Sequence, residues 1–273
     1  MKDTSKELLE HPNKTEALDN QILRVLVGSG VHGLAVEGTD DRDEMGIYIE
    51  RPHRVYGVHR PLESVVLRTQ PDGARSGPGD LDLMLYSLRH WMRLALQGNP
   101  SILTLLYAPI DAVLLRKPIG TDLLAMDEWI VSKNAGPRFL GYLDGQRERL
   151  TGGGKRNRVP NRPELIERYG FDVKYASHAL RLGLQGIELL STGRLTLPMR
   201  EEDREVVYAV KTGGFTYEQS VKMIDGVREQ LRRIVDRDPR GLPNVLRDEP
   251  DRAQVATWMR VVHEEHWATS VTR

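Results

Sequence analysis

Three aspartates carry most of the chemistry in this sequence. Asp41 and Asp43 stand two apart at the head of an apolar run, and Asp82 lies between Leu81 and Leu83 in DLDLMLY. Residues i and i+2 of a strand share a face, with Cα atoms roughly 6–7 Å apart. Asp41 and Asp43 can therefore converge on a divalent ion; without one they would repel each other. With Asp82 from a nearby strand, three carboxylates suffice to hold two Mg²⁺ ions about 4 Å apart, an arrangement that serves in-line phosphoryl transfer. Upstream, Gly28-Ser29-Gly30 ends another apolar run. A glycine-rich turn that opens a helix offers backbone N–H groups and a positive dipole end to a phosphate. Ser29 adds a hydroxyl donor. Taken alone, either element also describes an acidic surface turn. The ordered set is more specific. Asp40 adjoins the pair but falls on the opposite face of a regular strand, where it reads as a turn residue.

The elements that must position these groups follow from periodicity and punctuation. Residues 22–27 (ILRVLV) read as a buried strand, and Gly30 to about Val36 as a short helix. A second strand runs from about Asp41 to Glu50. A hairpin-like stretch leads from residues 55–57 to 64–67, and QPDGARSGPG (70–79) reads as a loop. The third strand is 80–86. It runs into a helix over 87–100, with Ser87 as N-cap and Gly98 at its C-terminal end. From Ser101 onward the pattern is helical. Asp172 caps an amphipathic helix to Thr192, and further helices lie near 216–235 and 251–267. Mixed strands first and helices second predict an α+β fold. The expected division is a catalytic domain over 1–132 and a helical domain over 133–273.

The chain has 273 residues, 39 basic and 39 acidic, and no cysteine. Disulfides and thiolate zinc sites are excluded, which fits a reducing, cytoplasmic setting. The zero net charge argues against holding nucleic acid by bulk electrostatics and leaves room for a local basic groove. No apolar run is long enough to span a bilayer, and the charged N-terminus has no secretory h-region. The window 147–162 is such a local basic stretch, with Arg147, Arg149, Lys155, Arg156, Arg158 and Arg162 against Glu148 alone. It reads as a basic loop, with Lys155, Arg156 and Arg158 as candidates for a nucleic-acid backbone or as a solubilising linker. His263 and His266 lack the spacing of a metalloprotease zinc motif. Trp91 and Trp258 read as core residues.

GSGVHGLAVEGTDDRDEMG together with LDL resembles the nucleotidyltransferase signature of the DNA polymerase β superfamily. DLDLMLYSLRHWMRLALQGNPSILTLLYAP and NRPELIERYGFDVKYASHALRLGLQGIELLSTGRLTLP are similar to predicted bacterial and phage nucleotidyltransferases associated with RNA ligases and RNA repair. The resemblance covers roughly residues 22–235. Thr104 departs from it, standing where many relatives carry glutamate. The resemblance implies a polymerase-β-like domain in which Gly28, Ser29 and Gly30 hold the phosphates of a nucleoside triphosphate. Asp41, Asp43 and Asp82 then bind two Mg²⁺ or Mn²⁺ ions. An acceptor hydroxyl attacks the α-phosphorus and pyrophosphate leaves.

In the second domain, Lys174, His178 and Arg181 fall at i, i+4 and i+7 and share one helical face. Such a face is often simply solvated. The resemblance assigns it to the triphosphate, Lys174 above all. His32 reads as a structural hydrogen-bonding residue, and Arg42 as a counter-charge on the opposite face from Asp41 and Asp43. The acceptor implied by the RNA-repair resemblance is an RNA end, with tRNA among the options. A protein or small-molecule hydroxyl is the alternative acceptor, and a non-catalytic nucleotide- or RNA-binding module the alternative of another class.

Overall fold

The structure is a computed structural model that describes residues 12–36, 38, 42–58, 61–70, 74, 76–152 and 162–270. Two compact units emerge. The first comprises the described residues of 1–96, 102–130 and 250–273, and the second those of 97–101 and 131–249. Together they make an α+β protein with one mixed sheet and a set of helices.

The sheet of the first unit has five strands: β1 (Gln21–Leu26), β2 (Arg42–Tyr48), β3 (Ser64–Arg68), β4 (Leu81–Ser87) and β5 (Val113–Arg116). Their spatial order is β3-β4-β2-β1-β5. β2 and β4 run parallel, and every other pairing is antiparallel. The central strand β2 is buried over its last five residues, as expected of a strand covered on both faces. Ala17, Tyr48, Val65, Leu67, Leu83 and Leu85 form a core cluster against the sheet.

β4 passes directly into the helix Leu88–Leu96, where Ser87 Oγ accepts a hydrogen bond from His90 N at 3.3 Å. That helix buries Leu88, Trp91, Met92 and Ala95, the i, i+3, i+4, i+7 stripe of an amphipathic helix. Trp91 is in the core, whereas Trp258 is half-buried.

Several elements differ from the sequence reading. The helix expected over 30–36 is a single turn, Gly28–Val31, closed by Gly33 N to Gly30 O (3.0 Å) and Leu34 N to Ser29 O (2.9 Å). The stretch around Val55 is the helix Pro52–Tyr56, because Pro52 at its first turn fixes a helical φ and offers no N–H to a ladder. β5 lies inside the stretch read as helical; so short a run, three apolar residues and an arginine, cannot be told from buried helix by periodicity.

The final helix, Arg252–Ser270, was expected in the helical domain and belongs to the first unit. His263 Nε2 meets the buried carboxylate of Glu50 at 3.2 Å, and Trp267 Nε1 donates to Glu50 O at 2.7 Å. His266 Nε2 lies 2.8 Å from Asn20 Oδ1. Both histidines are thus held by this packing. Among the described residues no helix is long and apolar enough to cross a membrane.

In the second unit, the helix Val173–Thr192 is central and packs on Ala135–Thr151, Glu201–Lys211 and Tyr217–Val235. Its N-cap is Asp172, whose Oδ1 accepts from Lys174 N at 3.0 Å and Tyr175 N at 3.1 Å. Thr216 and Gln219 form a capping box on Tyr217–Val235.

The window 147–162 is not a loop throughout. Its start lies in the helix Ala135–Thr151, where Arg147 pairs with Asp225 at 2.5 Å, and its end, Arg162, pairs with Asp172 at 3.0 Å. Lys155, Arg156 and Arg158 lie outside the described residues.

Candidate active site

The aspartates sit where β2 and β4 run side by side. Asp43 and Asp82 are register partners across this parallel pair, so their side chains leave the same face of the sheet. The loop after β1 closes on this face. Val27 N donates to Asp43 O at 2.9 Å, and Gly28 lies against the Asp43 carboxylate. A Cβ on Gly28 would sit 2.1 Å from Asp43 Oδ2, and Gly28 has φ +70°. Only glycine satisfies both constraints. Asp40 and Asp41 lie outside the described residues.

Among the described residues, Asp82 is held by three side chains that sequence reasoning missed. Arg68, its register partner on β3, places Nε 2.6 Å from Asp82 Oδ1. Gln70 Nε2 donates to the same oxygen at 3.2 Å, and Ser76 Oγ donates to Oδ2. Gln70 Nε2 also reaches Ser76 Oγ at 2.5 Å. The composition of QPDGARSGPG signals a loop and does not say that the loop turns its serine back onto the strand. The antiparallel alternation of β3 against β4 is the signal that could have found Arg68.

The opposite face of β2 carries a separate charge cluster. Glu44 is buried, with Arg42 Nε at 2.5 Å and Arg24 Nε at 3.4 Å. Arg42 therefore neutralises Glu44 rather than the aspartates, because alternation puts residues 42 and 44 on one face and 43 on the other. His32 is buried beside the Gly-Ser-Gly turn, and Thr104 is buried in the first unit. Ser29 is half-buried and Gly30 exposed.

The donor chemistry fits a hard divalent cation. Asp43 and Asp82 supply carboxylate oxygens from adjacent strands, and the chain has no thiolate to favour a softer metal. Gln70 adds a buried Oε1 that has no hydrogen-bond partner among the described residues, on the same amide that donates to Asp82. Among the described residues no group of three or more metal-ligating side chains gathers, and Asp41 stands outside that set.

The helical unit holds a second charged surface. Lys174, His178 and Arg181 share one face of the helix Val173–Thr192. His178 is exposed at the surface, yet crowding around its ring pushes its pKa down to about 3. The charges of Arg181, Lys174, Arg162 and Lys211 add to that shift. Burial likewise lowers Arg181 to about 10, with its Nη1 donating to the buried Gln185 Oε1 at 2.9 Å. Arg162 and Lys211 extend the cationic face beyond the three residues legible from helical spacing.

No curated protein shows significant similarity to the chain. Among solved structures, it is similar to a nucleotidyltransferase-like protein from Exiguobacterium sibiricum at 14% identity. That match covers 85% of this chain and 76% of the other, with a TM-score of 0.34. A family model spans residues 1–217, from the N-terminal region through the sheet, the aspartates and the cationic helix, and by that match the chain belongs to the RNA repair pathway DNA polymerase beta family.

Proposed function

We propose that this protein transfers a nucleoside monophosphate from a nucleoside triphosphate to the hydroxyl of an RNA end, tRNA included. Asp41, Asp43 and Asp82 hold two Mg²⁺ or Mn²⁺ ions. When bound, the ions offset the charge that develops on the attacking and leaving oxygens. Gly28, Ser29 and Gly30 offer backbone and hydroxyl donors to the β- and γ-phosphates. Asp82 faces the acceptor side, where its carboxylate takes the hydroxyl proton while Arg68, Gln70 and Ser76 fix its orientation. The acceptor oxygen attacks the α-phosphorus in line and pyrophosphate leaves.

Lys174, His178 and Arg181 present the triphosphate-binding face of the helical unit, and Lys155, Arg156 and Arg158 bind the RNA backbone. The chemistry has the reducing cytoplasm as its setting. The observation that carries the proposal is the register pairing of Asp43 with Asp82, with Gly28 pressed against Asp43.

The test uses each α-labelled nucleoside triphosphate with Mg²⁺ or Mn²⁺, mixed RNA and cell protein. Label should pass to material that RNase destroys, pyrophosphate should appear, and Asp43→Asn should abolish both with the fold intact. Label that resists RNase and yields to protease moves the acceptor to a protein hydroxyl. Absence of both transfer and pyrophosphate with every triphosphate sinks the proposal.

A further inference from the structure

Within the helical unit, the end of the helix Pro163–Tyr169 and the turn before Tyr217–Val235 enclose an open cleft of about 450 Å³. That volume falls within the roughly 300–1,000 Å³ of small-ligand pockets. Its lining includes four aromatic residues, Tyr169, Phe171, Phe215 and Tyr217, together with Gly213 and Gly214. Phe171 and Tyr217 meet edge to face, with ring centroids 5.8 Å apart and planes at 68°. Phe171 is buried, whereas Tyr169, Phe215 and Tyr217 keep part of their surface exposed.

The rings are held in place. A Cβ on Gly213 would lie 2.3 Å from Tyr169 Cδ1, so the glycine lets the ring rest on the backbone. The Arg168 guanidinium lies 5.1 Å from the centroid of the same ring. Four aromatics around an open cleft are an unusual use of large apolar side chains, and the chain has only three phenylalanines in all.

The segments that line the cleft carry both signs of charge, with Glu218 next to Tyr217 and cations at Arg168 and Lys211. Lys211 ends the helix that leads into Gly213, and its charge acts on His178 together with those of Lys174, Arg162 and Arg181. Arg168 lies over the Tyr169 ring. Aromatic faces flanked by cations match the two halves of a nucleotide: a base with a π-face and a phosphate with negative charge. A base in a duplex hides both faces in the stack, so only an unstacked strand can enter.

We propose that this cleft stacks a base of single-stranded RNA, with Lys211 and Arg168 contacting the adjoining phosphates. The choice of ligand rests on the RNA-acceptor reading above. The cleft then gives the helical unit a strand-holding site formed by residues distinct from the aspartates and from the glycine-serine turn.

The experiment is fluorescence anisotropy of a labelled, uridine-rich single-stranded RNA with the full chain, in the absence of nucleoside triphosphate. Phe215→Ala and Tyr169→Ala should each weaken binding by about 5-fold or more, the lower end of what one stacked base contributes. Lys211→Gln should weaken all sequences alike and reduce the salt slope by about 1. Duplex RNA of the same sequence should compete poorly. Unchanged affinity in both aromatic variants overturns the inference, and so does equal competition by the duplex. Competition by a nucleoside triphosphate as strong as by the strand also overturns it, because the cleft then takes the donor nucleotide.

If an aromatic variant does not fold, photo-cross-linking of 5-iodouridine RNA to the wild-type chain decides. Cross-links within 169–171 or 213–217 support the site, and cross-links confined elsewhere refute it. Asp43→Asn separates the two readings, since it should abolish transfer and leave strand binding unchanged.

Discussion

At the scale of single residues, Gly28 is the tightest constraint near the aspartates. Its φ of +70° and the 2.1 Å gap from a built Cβ to Asp43 Oδ2 leave a side chain no space and no relaxed backbone. Gly28→Ala must displace the Asp43 carboxylate. A misplacement of about 1 Å can lower a rate about 10²-fold, so transfer should fall by that order. The backbone strain adds about 1–3 kcal/mol of destabilisation, readable by urea unfolding. Ser76 is the contrasting case. It sits in a loop and touches the Asp82 carboxylate, so Ser76→Ala should lower kcat with little change in the unfolding midpoint. Equal kcat in the variant and the wild type would remove Ser76 from the positioning of Asp82. The aspartates were legible in the sequence because acidic residues at strand spacing stand out. Gln70 and Ser76 were not legible, since a loop's path is set by what it packs on.

At the scale of elements, the helix Val173–Thr192 shows how much local sequence can fix. Asp172 was expected as its cap, and its Oδ1 accepts from Lys174 N and Tyr175 N while Oδ2 meets Arg162. Asp172→Ala should destabilise the protein by about 1–2 kcal/mol through the lost cap. Asp172→Asn should recover the cap and not the ion pair; chemical denaturation of both variants checks this. The same helix predicts a pH response. His178 has its pKa lowered from 6.5 to about 3, so the folded protein holds a neutral ring while the unfolded chain protonates below about 6.5. Its contribution is therefore full above that value and is lost as pH falls towards 3. Between pH 6.5 and 5 the wild type should lose more stability than His178→Gln, as seen in parallel thermal melts. By contrast β5 escaped the sequence reading. Three apolar residues and Arg116 become a strand only because the edge of β1 is there to pair with them.

At the scale of the whole molecule, the C-terminal helix Arg252–Ser270 returns to the first unit and closes over Glu50. Glu50 and His263 are both buried, at 4% and 6% of their surface. Truncation after Glu249 strips the cover of His263 and Trp267 from Glu50 and removes the donor to its carbonyl. The truncated chain should show an early unfolding transition of the sheet-bearing unit by calorimetry, with the helical unit's transition unshifted. Coincident, unchanged transitions would show that this helix does not support the sheet.

The sequence by itself determined which side chains could do chemistry and which face of each element they share. Alternation along β2, helical spacing along Val173–Thr192 and the capping residues are local properties, written within single elements. Only the tertiary structure decided that β2 and β4 lie in parallel register, so that Asp43 meets Asp82. It also decided that the Tyr169 and Phe215 segments close one aromatic cleft. The physical reason is that pairing of distant segments is selected by the burial of whole faces against one another. That free energy belongs to no single stretch of chain.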